Sequence, residues 1–167
     1  MLNIKKPILT LLLLLAIGVI SLSFYKMSQK HKIAHAEFTT IKGEKISMQS
    51  LKGKVVLINF WATDCRNCVK EMPDLIKTYQ QYQDQGLEII AVAMPYDPPL
   101  QVVNYATQKQ LPFPVMHDSY AEITHKFGGV SVTPTTYIYN KKGKRIQHAV
   151  GLINFNKLHA LLDKELS

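Results

Sequence analysis

Cysteine and tryptophan are scarce in this 167-residue chain, which has two of the first, Cys65 and Cys68, and one of the second, Trp61. Cysteines three positions apart cannot staple distant segments, so a small scaffold built on disulfides is excluded. A structural zinc site would need a second ligand pair, and His117, His125, His148 and His159 offer none at close spacing. His31 and His35 stand four apart, but on a short polar stretch with no third ligand, so no metal is expected. Acidic residues are absent before Glu37, whereas Lys5, Lys6, Lys26, Lys30 and Lys32 all precede it. Most of the net charge of +8 belongs to that segment, and the remainder has fifteen basic residues against twelve acidic ones, or +3. A nucleic-acid surface carries its positive charge as a patch within the fold, so no nucleic-acid partner is expected. Hydrophobic residues at 47% and charged residues at 19% exclude disorder and a coiled-coil rod, and the length suits one domain.

There is one long uncharged run, Ile8 to Tyr25. As helix its eighteen residues extend about 27 Å, enough to span a hydrocarbon core of about 30 Å. Behind Lys5 and Lys6 it reads as a signal-type segment. Ala34-His35-Ala36 has the small-x-small form of a cleavage site, but lies about eleven residues beyond Tyr25, across Lys26, Lys30 and Lys32. An uncleaved anchor is therefore expected over residues 1–25, a tether over 26–36 and one domain over 37–167. No cysteine stands directly behind the apolar run, which excludes a lipoprotein anchor. Counting lysines alone leaves the domain on the cytoplasmic side, whereas the cysteine chemistry favours the outside.

The domain reads as α/β. Phe38–Ile41 and Lys45–Ser47 flank a turn and predict a hairpin. Val55–Trp61 is a near-continuous apolar run, expected for a strand covered on both faces. A helix is predicted from Cys65 to Gln85, a second buried strand over Leu87–Met94, and helices over 100–110, 120–127 and 154–165. Between the last two, Thr135–Tyr139 and Arg145–Val150 flank Asn140-Lys141-Lys142-Gly143-Lys144, a plain hairpin signal.

Cys65 and Cys68 stand where the buried strand gives way to the helix. Free N–H groups and partial positive charge at a helix start stabilise a thiolate, which makes Cys65 the candidate nucleophile. Cys68, one turn on, can expel a bound partner by attacking the Cys65 sulfur. Haem attachment would require histidine after Cys68, where Val69 stands. A peroxiredoxin-type peroxidase would want proline at Asn59, and a Sco-type copper-delivery protein would want three residues between the cysteines.

The segment Phe60-Trp61-Ala62-Thr63-Asp64-Cys65-Arg66-Asn67-Cys68-Val69-Lys70-Glu71-Met72-Pro73 resembles the active site of TlpA/ResA/DsbE-type thioredoxin-like proteins. The likeness extends to residues 50–56, Phe113-Pro114-Val115 and Val132-Thr133-Pro134-Thr135-Thr136, and so covers most of residues 38–165. It implies a thioredoxin-like α/β fold with a central mixed sheet flanked by helices, preceded by the hairpin and a transmembrane anchor. It implies thiol reduction outside the cytoplasmic membrane by a single-pass protein, with the domain facing the periplasm or cell exterior. Clients would be disulfide-containing proteins such as apocytochromes c or copper-site assembly proteins. A membrane electron donor of the DsbD/CcdA kind would restore the dithiol, and no cofactor is expected.

By the same resemblance the Thr133–Pro134 bond would be cis and face the cysteines. Trp61, Asp64, Arg66 and Asn67 would join Thr133 and Pro134 as the client-contacting set, and Glu71 would exchange protons with Cys68. Asn59 stands where thioredoxin has a buried Asp, which makes Glu71 the better proton route. Asp64 and Asn67 depart from the family's usual Trp and Pro, and the Asp64 carboxylate opposes the thiolate that Arg66 favours. Tyr96, Asp97 and the remaining histidines read as ordinary surface. A disulfide-forming oxidant, a redox-inert binding module beside Pro134 and a cytoplasmic-facing thioredoxin on a reversed anchor stay open as alternatives.

Overall fold

Val55–Trp61 (β3) is buried from end to end, and the sheet assembles around it. The computed structural model describes residues 13–23 and 36–167. A small antiparallel hairpin, β1 (Glu37–Thr39) and β2 (Lys45–Ser47), precedes β3. Then follow α1 (Arg66–Tyr82), a 3-10 turn (Gln83–Gln85), β4 (Leu87–Ala93), α2 (Pro99–Gln108), β5 (Val115–His117), α3 (Glu122–Lys126), β6 (Thr135–Tyr139), β7 (Arg145–Val150) and α4 (Phe155–Leu166). The larger sheet has the order β5-β4-β3-β6-β7. β4 is parallel to β3 and β5, whereas β6 is antiparallel to β3 and β7. This is the central mixed sheet that the resemblance implies.

Strand geometry turns successive side chains to opposite faces, and β3 divides them accordingly. Val55, Leu57 and Trp61 enter a layer shared with Cys68, Met72 and Leu75 of α1, Val102 of α2, and Leu158 and Leu162 of α4. Val56, Ile58 and Phe60 enter the opposite layer, closed by Phe38 of the hairpin and by Ile123 and Phe127. The predicted first helix is shorter than its apolar pattern suggests. Its α-helical part stops at Tyr82 and tightens into the 3-10 turn, which Gly86 ends at φ 102°, a left-handed conformation that glycine adopts without strain. The predicted helix over 120–127 shrinks to α3, because Asp118 gathers the free N–H groups of Ile123 and Thr124 at 3.1 and 2.7 Å and starts the helix there.

Residues 13–23 are helical with exposed side chains. Among the described residues no helix is long and apolar enough to cross a membrane. The expected anchor over 1–25, with its uncharged run 8–25, extends past that segment at both ends, and the expected tether, except Ala36, lies outside the described residues.

Phe127 is the hub of the second layer. Its ring centroid lies 5.3 Å from that of Tyr137, 5.4 Å from Phe60, and 6.3 Å from both Phe38 and Tyr139. Truncation leaves a void that such rigid rings cannot close, so Phe127→Ala is expected to cost about 3–5 kcal/mol. Urea unfolding should show a lower midpoint at unchanged slope, and a loss below about 1 kcal/mol would show the ring to be dispensable.

Candidate active site

Pairing register brings three loops to one end of the sheet. Trp61, the last residue of β3, lies opposite Ala93, the last of β4, while Phe60 lies opposite Thr135, the first of the antiparallel β6. The loop carrying the cysteines therefore emerges between the loop after β4 and the loop before β6. The Thr133–Pro134 bond in that last loop is cis, the form that the resemblance implies. Pro134 is buried, and its carbonyl already accepts from the Gly151 N–H at 2.8 Å. Thr133 is half-buried.

Cys65 is the N-cap of α1, in extended conformation at φ −80° and ψ 102°. Its Sγ accepts from the Cys68 N–H at 3.2 Å, so this sulfur occupies the place that a capping oxygen fills in other helices. The two cysteines form a disulfide with their Cα atoms 5.2 Å apart. Cys68 is fully buried and Cys65 only partly so, which makes Cys65 the sulfur that a protein partner can reach. Asp64, Arg66 and Asn67 are exposed around it. Trp61 is fully buried, with its ring 5.1 Å from that of Tyr105, and so packs the core beneath the site rather than contacting a client.

Glu71 follows Cys68 by three positions, a spacing that sets side chains on one face of a helix, and both are buried. Its Oε1 accepts from Asn59 Nδ2 at 3.0 Å and its Oε2 from the Ile153 N–H at 3.2 Å. Asn59 Nδ2 also donates to Thr136 Oγ1 at 3.0 Å. Burial raises the Glu71 pKa above its ordinary 4.5, and the hydrogen bonds from Ile153 and Asn59 pull it back by less. A carboxyl in this setting can take up and release a proton next to Cys68.

Asp97 is not the ordinary surface residue its sequence suggests. It is 3% exposed, and its carboxylate accepts from the Thr63 N–H at 2.6 Å and the Thr63 hydroxyl at 2.5 Å, two residues ahead of Cys65. His117 Nε2 lies 2.7 Å from the Asp97 carbonyl, and its Nδ1 lies 2.7 Å from Ser119 Oγ. The signal that could have found Asp97 was positional: it follows the end of a buried strand that runs parallel beside the cysteine-bearing one. His148 and His159 are likewise engaged, stacked on Tyr137 at 4.3 Å and 2.9 Å from Thr78 Oγ1. Tyr96 is 58% accessible, and His125 and His148 are exposed too. Among the described residues no cluster of His, Cys, Asp and Glu could hold a metal.

A partly exposed N-capping cysteine joined to a buried one, beside a cis-proline loop on a mixed sheet, defines a thiol–disulfide oxidoreductase of thioredoxin-like fold. The model of the AhpC/TSA family matches residues 30–148, and the chain belongs to that family. It is 33% identical over 162 residues to the thiol-disulfide oxidoreductase ResA of Bacillus thuringiensis subsp. konkukian, covering 92% of each chain. The solution structure of a candidate thioredoxin from Neisseria meningitidis superposes with a TM-score of 0.75 at 36% identity, covering 80% of this chain and 89% of that one. A thioredoxin-family thiol:disulfide interchange protein from Chlorobium tepidum gives a TM-score of 0.72 at 26% identity, covering 79% and 93%. Disulfide-containing proteins are the clients that this class of enzyme implies.

The sign of the Glu71 shift fixes a pH dependence. A carboxyl whose pKa is raised on folding contributes stability that is full below its unfolded value and is lost as pH rises through the folded one. Glu71→Gln, which stays neutral, should therefore gain stability relative to the native protein as pH rises above 4.5, read from urea midpoints of the disulfide form. A difference independent of pH would show that Glu71 carries no burial penalty.

Proposed function

We propose that this protein is a membrane-anchored reductant of disulfides in client proteins outside the cytoplasm, of the ResA/DsbE type. The observation that carries the reading is the capping geometry of Cys65, which aims the Cys68 N–H at the reacting sulfur. In the dithiol form the Cys65 thiolate attacks one sulfur of a client disulfide, forming a mixed disulfide and releasing the other client sulfur as a thiolate. Cys68, deprotonated with Glu71 as acceptor, then attacks Cys65 Sγ and displaces the second client sulfur. Two electrons pass to the client, which leaves with two thiols, and the Cys65–Cys68 bond is restored. A membrane donor of the DsbD/CcdA kind would return the electrons, and apocytochromes c or copper-site assembly proteins would be suitable clients.

The reducing direction is favoured by the charges near Cys65. A strong oxidant needs a heavily stabilised thiolate. Here the exposed Asp64 carboxylate and Arg66 guanidinium flank the sulfur with opposite sign, so the helix start is left as the main stabilising influence. Anchoring is supported by the uncharged run from Ile8 to Tyr25, of which residues 13–23 are helical with exposed apolar side chains. Disulfide chemistry suits the outer side of the membrane, where such bonds persist.

Equilibration of the full chain against redox buffers should give a potential near the thioredoxin value of about −270 mV, whereas a value near about −120 mV would mark an oxidant and overturn the proposed direction. A carboxy-terminal alkaline-phosphatase fusion should be active if the domain faces outward. An inactive but stably produced fusion would place it in the cytoplasm. Cys68→Ser should accumulate mixed disulfides with clients through Cys65, since the resolving thiol is gone, and Cys65→Ser should accumulate none.

A further inference from the structure

The loop after β4 is held at both of its ends. Met94 N–H donates to the Trp61 carbonyl at 2.9 Å, Asp97 N–H closes a turn onto Met94 at 3.0 Å, and the Asp97 carboxylate grips Thr63. Tyr96 projects from this fixed loop, and its hydroxyl comes within 3.5 Å of Thr133 Oγ1. Thr133 belongs to the loop before β6, which flanks β3 on the opposite side from β4. The Tyr96 side chain thus reaches across the end of β3, where the cysteine loop begins. It is 58% exposed, and Val132, next to Thr133, is 54% exposed. Two large side chains therefore stand in water at the end of the sheet that carries the partly exposed Cys65, while the chain neighbours of Cys65, namely Asp64, Arg66 and Asn67, are polar.

We infer that Tyr96, with Val132, docks the client segment that flanks the reacting disulfide, and favours clients with an aromatic or large aliphatic residue beside that cysteine. The inference rests on disulfide exchange at Cys65, but not on its direction. Exchange requires a client sulfur to arrive at Cys65 Sγ, so the residues next to that sulfur must pass over whatever borders it. A ring held in place by a hydrogen-bonded loop can receive them with little loss of its own freedom. Tyr96 is on this reading a specificity-determining contact, with no part in the transfer of electrons.

The test uses the full chain in its dithiol form and three disulfides: glutathione disulfide and two disulfide-linked peptides that differ only in Phe or Ser beside the cysteine. The native protein should react faster with the Phe peptide. Tyr96→Ala should lower the Phe-to-Ser rate ratio about three- to tenfold, the range for loss of an aromatic contact, and Tyr96→Phe should keep it. A ratio unchanged in Tyr96→Ala overturns the inference. An equal fall toward all three disulfides does so too, because it marks a residue that only supports the fold. Native dithiol protein inert toward all three would instead overturn exchange at Cys65, so the two failures are distinguishable.

Discussion

The pairing of β3 on both edges is the constraint from which the rest follows. With β4 parallel on one side and β6 antiparallel on the other, the end of one, the end of the second and the start of the third coincide. Loops from residues more than seventy positions apart thereby share one end of the sheet. Seven buried residues hold this register, because a slip by one would exchange the contents of the two core layers. The positions of the cysteine loop, the Tyr96–Asp97 loop and the cis-proline loop are thus set by packing far larger than any contact among them.

The same alternation accounts for the polar content of the core. Positions 55, 57, 59 and 61 of β3 face the layer that holds α1, so Asn59 is the one polar side chain that the strand sends toward Cys68 and Glu71. Its amide ties Glu71 to Thr136 of β6, while the Ile153 N–H reaches the same carboxyl from the loop before α4. Burying a carboxyl without a cation is costly, and these donors offset part of that cost while leaving the proton within reach. A basic partner would have pinned the charge, and the group would then exchange protons poorly.

Much of this was legible in the sequence because its signals were local. The apolar run of β3, the turn before β7 and the cysteine pair at a strand-to-helix junction each lie within a few residues. The remainder depended on contacts across the chain. Asp97 read as surface because nothing near it in sequence shows that Thr63 would supply both an N–H and a hydroxyl to its carboxylate. Trp61 entered the client-contacting set through the resemblance, but it belongs to the strand, and the alternation of β3 turns it inward. The shortened α3 likewise reflects Asp118 capping N–H groups five and six positions away.

The disulfide closes a ring of only four residues at the first turn of α1. On a chain-entropy account such a small ring restrains the unfolded protein by about 2 kcal/mol, against nearly 5 kcal/mol for a cross-link spanning 100 residues. The ring lies at one end of the sheet and within one helix turn, so it does not lace the sheet or its two layers together. Opening and closing the bond therefore leaves the scaffold nearly as firm as before, and the molecule can cycle between its two oxidation states as a tool that does not loosen with use.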